Sequence, residues 1–122
     1  MLVRIDPSLS TPLSDQVASS VRRAMAEGDL QQGQRLPSAR EVARSLGVNM
    51  HTVLRGYQIL RDEGLIELRP GRGAVVTAAT PQSRAALFEK ARQLVADARS
   101  MGLSEAETLA LVSSCMSSSA KV

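Results

Sequence analysis

The chain has 122 residues, 43% hydrophobic and 22% charged, a composition that fits one globular domain plus a short extension. One Tyr, one Phe and no Trp require a core built from Leu, Val, Ile, Ala and Met, which suits helices. A lone cysteine, Cys115, excludes an internal disulfide and points to a reducing cytoplasm. No stretch approaches the ~20 apolar residues of a membrane span, and Arg4 and Asp6 interrupt the N-terminus before a signal-peptide core can develop.

Net charge is +3, with 15 Lys plus Arg against 12 Asp plus Glu. Only Lys90 and Lys121 are lysines. Arginine forks suit phosphate and guanine edges, but a GC-rich genome also favours arginine, so this bias alone leaves two explanations.

The first helix is expected to start near Thr11 with Pro12 in its first turn, where a missing N–H does no harm. Leu13, Val17, Val21, Ala24 and Met25 then recur at helical spacing, and Gly28 is a natural stop. "DLQQGQRLP" reads as a turn-rich connection. "SARE" at 38–41 has the form of a capping box and opens a short helix that turns Val42, Ala43 and Leu46 inward and ends at Gly47. Asn49 can cap the next helix, which runs to Glu63 with Gly64 closing it. Two helices joined by a short Gly-containing turn describe a helix-turn-helix.

Steps of 100° along the second of these helices sort its faces. Val53, Tyr57, Leu60 and, at the edge, Ile59 fall on one side; His51, Leu54, Arg55, Gln58 and Asp62 fall opposite. "LIELR" and "AVVT" read as short strands joined by "PGRG", a hairpin with Arg72 at its tip. A hairpin following a helix-turn-helix is a wing. The pattern breaks from Ala78 to Pro81, where a joint is expected. The next helix carries a stripe of Leu87, Ala91, Leu94, Val95 and Ala98. "SEAE" at 104–107 is a second capping box, leading a short helix through Leu109, Leu111, Val112 and Met116 and then a frayed tail, "SSSAKV". The fold class is mainly α with a small β-hairpin: a winged helix-turn-helix over 8–77, then a two-helix extension over 78–118.

Enzyme chemistry has little to stand on. The only histidine, His51, and Cys115 lie on separate elements. No His/Cys spacing suits zinc, so no metal is expected. "GRG" lacks the spacing of a phosphate-cradling loop, and no cofactor is expected. The order of elements points instead to double-stranded DNA, with a protein-interaction winged helix as the alternative and a thiol-responsive role for Cys115 as a third reading. A major groove admits one helix by its N-terminal turns. The N–H groups of Asn49, Met50 and His51 would face phosphates. Arg55 could fork onto guanine or a phosphate, Met50 and Leu54 could meet a thymine methyl, and Arg72 could enter a narrow minor groove.

Residues 8–77 closely resemble the DNA-binding domain of GntR-family transcription regulators. The matching pieces are Leu36-Pro37-Ser38 with Arg40-Glu41, Leu46-Gly47-Val48, Thr52-Val53, Glu63-Gly64-Leu65-Ile66 and Gly71-Arg72-Gly73. The resemblance implies DNA contact at Arg40, phosphate contact at Arg35 and Ser38, and further contact at Thr52 and Gly73. Many members carry arginine where this chain has Met50 and Leu54, so operators of other branches do not transfer. Asn49-x-x-Thr52-Val53-x-Arg55-x-Tyr57 resembles the YtrA-like branch, as does the short tail. The resemblance implies that this tail dimerises, through Leu87, Ala91, Leu94, Val95, Ala98, Leu109, Val112 and Met116. An apolar stripe on a lone two-helix extension needs cover, and a twin subunit is the simplest source. The implied protein is a homodimeric regulator, a repressor of a palindromic operator, whose effector the sequence does not name.

Overall fold

A computed structural model of the chain describes residues 3–77 and 81–119. Its elements are α1 (Leu13–Ala26), α2 (Ala39–Leu46), α3 (Met50–Asp62), β1 (Ile66–Arg69), β2 (Gly73–Val76), α4 (Pro81–Ser100) and α5 (Glu105–Ser119). They form two compact units, Met1–Glu89 and Lys90–Val122, so the division along the chain falls within α4. Most of the joint expected from Ala78 to Pro81 lies outside the described residues, and Pro81 is the first residue of α4 rather than a break before it.

In the first unit α1 starts at Leu13, so Pro12 is its N-cap, one position before the expected first turn. The segment before it is tied to α1 by side chains. Gln16 accepts from the Asp6 amide at 2.6 Å, and its own amide donates to the Asp6 and Thr11 carbonyls. The Ser38 hydroxyl accepts from the Glu41 amide at 3.1 Å, starting α2. Gly47, at φ +69°, ends α2 in the left-handed conformation that side chains resist. After Val48, the Asn49 side chain accepts from the His51 amide at 2.8 Å and starts α3. That turn fixes the angle between α2 and α3.

Val17, Val21, Met25, Val53, Leu60, Leu65, Ile66 and Val76 form a dry centre, none more than 2% exposed. The start of α4 belongs to it through Ala85, with Phe88 packed at its margin. Two features of this core have no counterpart in the apolar pattern. Gly56 of α3 faces α1 so closely that a Cβ there would sit 2.9 Å from both the Ser14 carbonyl oxygen and Val17 Cγ1. Arg22 of α1 is buried among the apolar side chains. Its Nε and Nη2 donate to both oxygens of Glu63 at 2.7 and 2.8 Å, and its Nη1 donates to Glu89 at 2.7 Å.

β1 and β2 pair antiparallel, Ile66 opposite Val76 and Arg69 opposite Gly73. A third segment joins them. Arg35 bridges Val75, the Leu36 amide donates to Ala74 at 2.9 Å, and the Val76 amide donates to Gln34 at 2.8 Å. Part of the expected loop "DLQQGQRLP" is therefore an edge of the wing sheet.

The second unit holds the end of α4, a turn through Gly102, and α5. Ser104 and Glu107 form a reciprocal capping box, each side chain accepting from the other's amide at 3.0–3.1 Å. Residues 117–119 continue α5 where a frayed tail is expected; 120–122 lie outside the described residues. Leu109, Leu111, Val112 and Met116 are all exposed on α5, and Cys115 is exposed with them. Among the described residues no helix is long and apolar enough to cross a membrane, and no group of acids, His and Cys could hold a metal ion.

Candidate nucleic-acid interface

α3 presents two faces of different character. Val53, Gly56, Tyr57 and Leu60 are buried, while His51, Arg55 and Gln58 are exposed and Met50, Thr52 and Leu54 half-buried. The division follows the helical period, and the buried face holds the outward one rigid. Tyr57 adds a specific tie: its hydroxyl donates to the Pro37 carbonyl at 2.6 Å, linking the middle of α3 to the entry of α2. Burial, helped by the Glu41 charge, pushes the ionisation of Tyr57 well above its ordinary value, so the donor stays protonated.

The two caps shape the polar edge of this surface. Ser38 Oγ and Asn49 Oδ1 are used as acceptors for helix amides. Their O–H and NH₂ groups remain as donors, the polarity a phosphate oxygen requires. The expected free amide of His51 is consumed by the Asn49 cap, so the backbone donors at the start of α3 are fewer than the sequence suggests. Arg40, in the first turn of α2, is exposed and makes no ion pair among the described residues; the same holds for Arg55. Asp62, the acid on the outward face, lies at the far end of α3, 3.4 Å from Arg61.

The wing gathers the remaining expected contacts. Arg72 and Gly73 are exposed at its tip. Arg35 belongs here too, brought beside β2 by its bridge to Val75 and facing the same groove as Arg72. Sequence reasoning missed Arg69, which lines that groove and bonds Glu67 at 2.8 Å. The signal available was alternation along "IELR", which puts Glu67 and Arg69 on one face. Of the residues expected to dimerise, Leu87, Ala91, Leu109, Val112 and Met116 are exposed, Leu94 and Val95 half-buried, and Ala98 buried within the single chain.

Comparison with known proteins bears on these surfaces. The family described as "Bacterial regulatory proteins, gntR family" matches residues 13–76, the span from α1 to the end of the wing. The HTH-type transcriptional repressor YtrA of Bacillus subtilis is 32% identical over 107 residues, covering 84% of this chain and 82% of that protein. Among solved structures, YtrA from Sulfolobus acidocaldarius, a GntR-family transcription factor, superposes with a TM-score of 0.60 at 36% identity, covering 78% of this chain and 99% of that one. The AraR DNA-binding domain, solved in complex with operator ORX1, superposes with a TM-score of 0.56 at 25% identity over 63% of this chain and 96% of that one. Relatives of this kind are named as regulators of transcription, not as enzymes. A winged helix-turn-helix with an open polar face on α3, matched by the family along its whole length, is a DNA-binding regulatory domain, and the chain belongs to the GntR family of transcription regulators, with similarity to its YtrA-type members.

Proposed function

We propose that this protein is a homodimeric repressor that binds a palindromic operator in the cytoplasm. The observation that carries the DNA contact is the split of α3 into a locked inner face and an open face holding His51, Leu54 and Arg55. In this reading α3 enters the major groove by its N-terminal turns. Arg55 forks onto guanine or a phosphate, Met50 and Leu54 meet thymine methyls, and Thr52 and the Asn49 amide bind the adjoining backbone. Arg40 and Ser38 hold the strand crossed by α2, and Arg72 and Gly73 place the wing at the minor groove.

The winged unit, 8–77, reads DNA, and the helices over 78–118 pair two copies. The exposed apolar side chains of α5 support that pairing, since solvent leaves Leu109 61% and Met116 69% exposed in the single chain. A two-fold pair would set two α3 helices about 34 Å apart on adjacent turns of the duplex. The Bacillus relative's name as a repressor supports the sign of regulation.

Genomic footprinting of the purified protein tests the reading. Palindromic sites overlapping promoters are expected, lost in Arg40→Ala and Arg55→Ala proteins of normal fold. Wild-type footprints from both variants would show that the groove assignment is wrong. Sedimentation of Leu109→Asp and Met116→Asp should give monomers; dimers would move the interface elsewhere.

A further inference from the structure

The outer face of the wing sheet carries chemistry that groove reading by α3 does not use. Leu36, Ile66, Ala74 and Val76 turn into the core. Strand alternation then puts Arg35, Val75, Glu67 and Arg69 on the opposite face. Register places Arg35, Val75 and Glu67 in one row across three strands, with Arg69 two residues further toward the tip, opposite the bare backbone of Gly73. There they line an open groove of about 650 Å³ with Gln32, Arg72 and Thr77. Val75 forms its apolar floor and is 5% exposed.

Three guanidinium groups and one carboxylate share this groove. Among the described residues only Arg69 has an ionic partner, its Nε donating to Glu67 Oε2 at 2.8 Å. The bond leaves the terminal nitrogens of Arg69 without an acceptor among the described residues. Guanidinium forks match the oxygens of a phosphate. The groove is open rather than enclosed and runs on to Arg72, so an extended polyanion fits it better than a small molecule that must be surrounded.

We propose that this outer face is a phosphodiester-binding groove in which Arg69 extends the phosphate contact expected of Arg35 along the DNA backbone beside the wing, while Glu67 holds Arg69 in place and competes with phosphate for it. The inference rests on the DNA-binding reading above and adds a sequence-independent contact to it. Glu67 is then a built-in brake: it orients Arg69 at the cost of a negative charge beside the strand, so non-specific affinity stays below what three arginines alone would give.

The test uses the whole chain and a fluorescent mixed-sequence duplex titrated over a range of potassium chloride. Arg69→Gln should flatten the plot of log affinity against log salt by about 0.9, one released counterion's worth. Glu67→Gln should bind several-fold tighter at the same salt, with the circular dichroism of both unchanged. Wild-type binding with identical affinity and slope in Arg69→Gln would overturn this inference and leave the regulator intact. A wild-type protein that fails to bind any duplex would overturn both. Orthophosphate at matched ionic strength provides the other arm. If it raises the melting temperature of wild type but not of Arg69→Gln while their DNA slopes agree, the groove takes free phosphate and the backbone assignment falls.

Discussion

Removing Glu63 should cost this protein as much stability as truncating a large apolar side chain of its core. The Arg22 side chain is 2% exposed and that of Glu63 6%, and they meet through two short parallel hydrogen bonds. Burial works against the Arg22 charge, but the bonds and charges of Glu63 and Glu89 outweigh it and hold the guanidinium above its ordinary value. Arg22 therefore cannot escape by losing its proton. In Glu63→Ala two of its donors are stranded, and Glu89, 23% exposed, is the one carboxylate left to answer it, with the Ser19 hydroxyl a distant 3.4 Å from Nη1. Breaking a buried pair from one side costs about 3–5 kcal/mol, a large share of the roughly 5–15 kcal/mol that holds a typical domain folded. Urea denaturation followed by circular dichroism should show a correspondingly lowered midpoint at unchanged slope. Replacing both partners, Arg22→Met with Glu63→Leu, should recover most of the loss, because no charge is then left buried. A loss below about 1 kcal/mol in Glu63→Ala, the range of an exposed pair, would show that Arg22 swings out to water and that the network is not a structural tie.

Three further outcomes follow from other parts of the chain. Gly56→Ala should destabilise by about 1 kcal/mol, as overpacking against the Ser14 carbonyl and Val17 exceeds the gain in helix propensity; an unchanged urea midpoint would mean that α3 and α1 can part freely. Bonds from Ser104 hold the Glu107 carboxyl below its ordinary value. A lowered folded-state value gives stability that is present above the unfolded-state value and lost as pH falls through the folded one. The melting temperature of wild type should thus drop more on acidification than that of Glu107→Gln, and parallel curves would contradict the capping role. Cys115 is exposed on α5, so pairing of that helix should shield it. Alkylation by iodoacetamide is expected to be slow in wild type and fast in Leu109→Asp, and equal rates would place Cys115 outside the interface.

The helix-turn-helix was legible because each of its boundaries is set locally. Ser38, Gly47 and Asn49 act within a few residues of themselves, and a 3.6-residue period is enough to separate Val53 and Tyr57 from His51 and Arg55. The missed features depend on contacts between distant segments. Arg22 stands at an inward position, flanked at helical spacing by Ala18 and Met25, but its acceptors lie 41 and 67 residues away. No local pattern separates a buried arginine with two carboxylates from one at the edge of a stripe. Gly56 shares the inward spacing of Val53 and Leu60, yet only the approach of α1 explains why a missing side chain belongs there. The edge segment at Arg35 was read as loop because a single bridge between glycine and proline leaves no alternation to detect.

α5 is the opposite case: the helix lies where its capping box predicts, and Leu109, Leu111, Val112 and Met116 are exposed on it. The same holds for the outward side of α3, which is rigid and polar with no acceptor facing Arg55. Among the described residues the buried Arg22 is paired with two carboxylates, while the apolar side chains of α5 and the outward residues His51, Arg55 and Gln58 of α3 are exposed. In the proposed reading, aliphatic side chains on α5 would meet another apolar helix, and guanidinium and amide donors around α3 and the wing would meet phosphates and base edges.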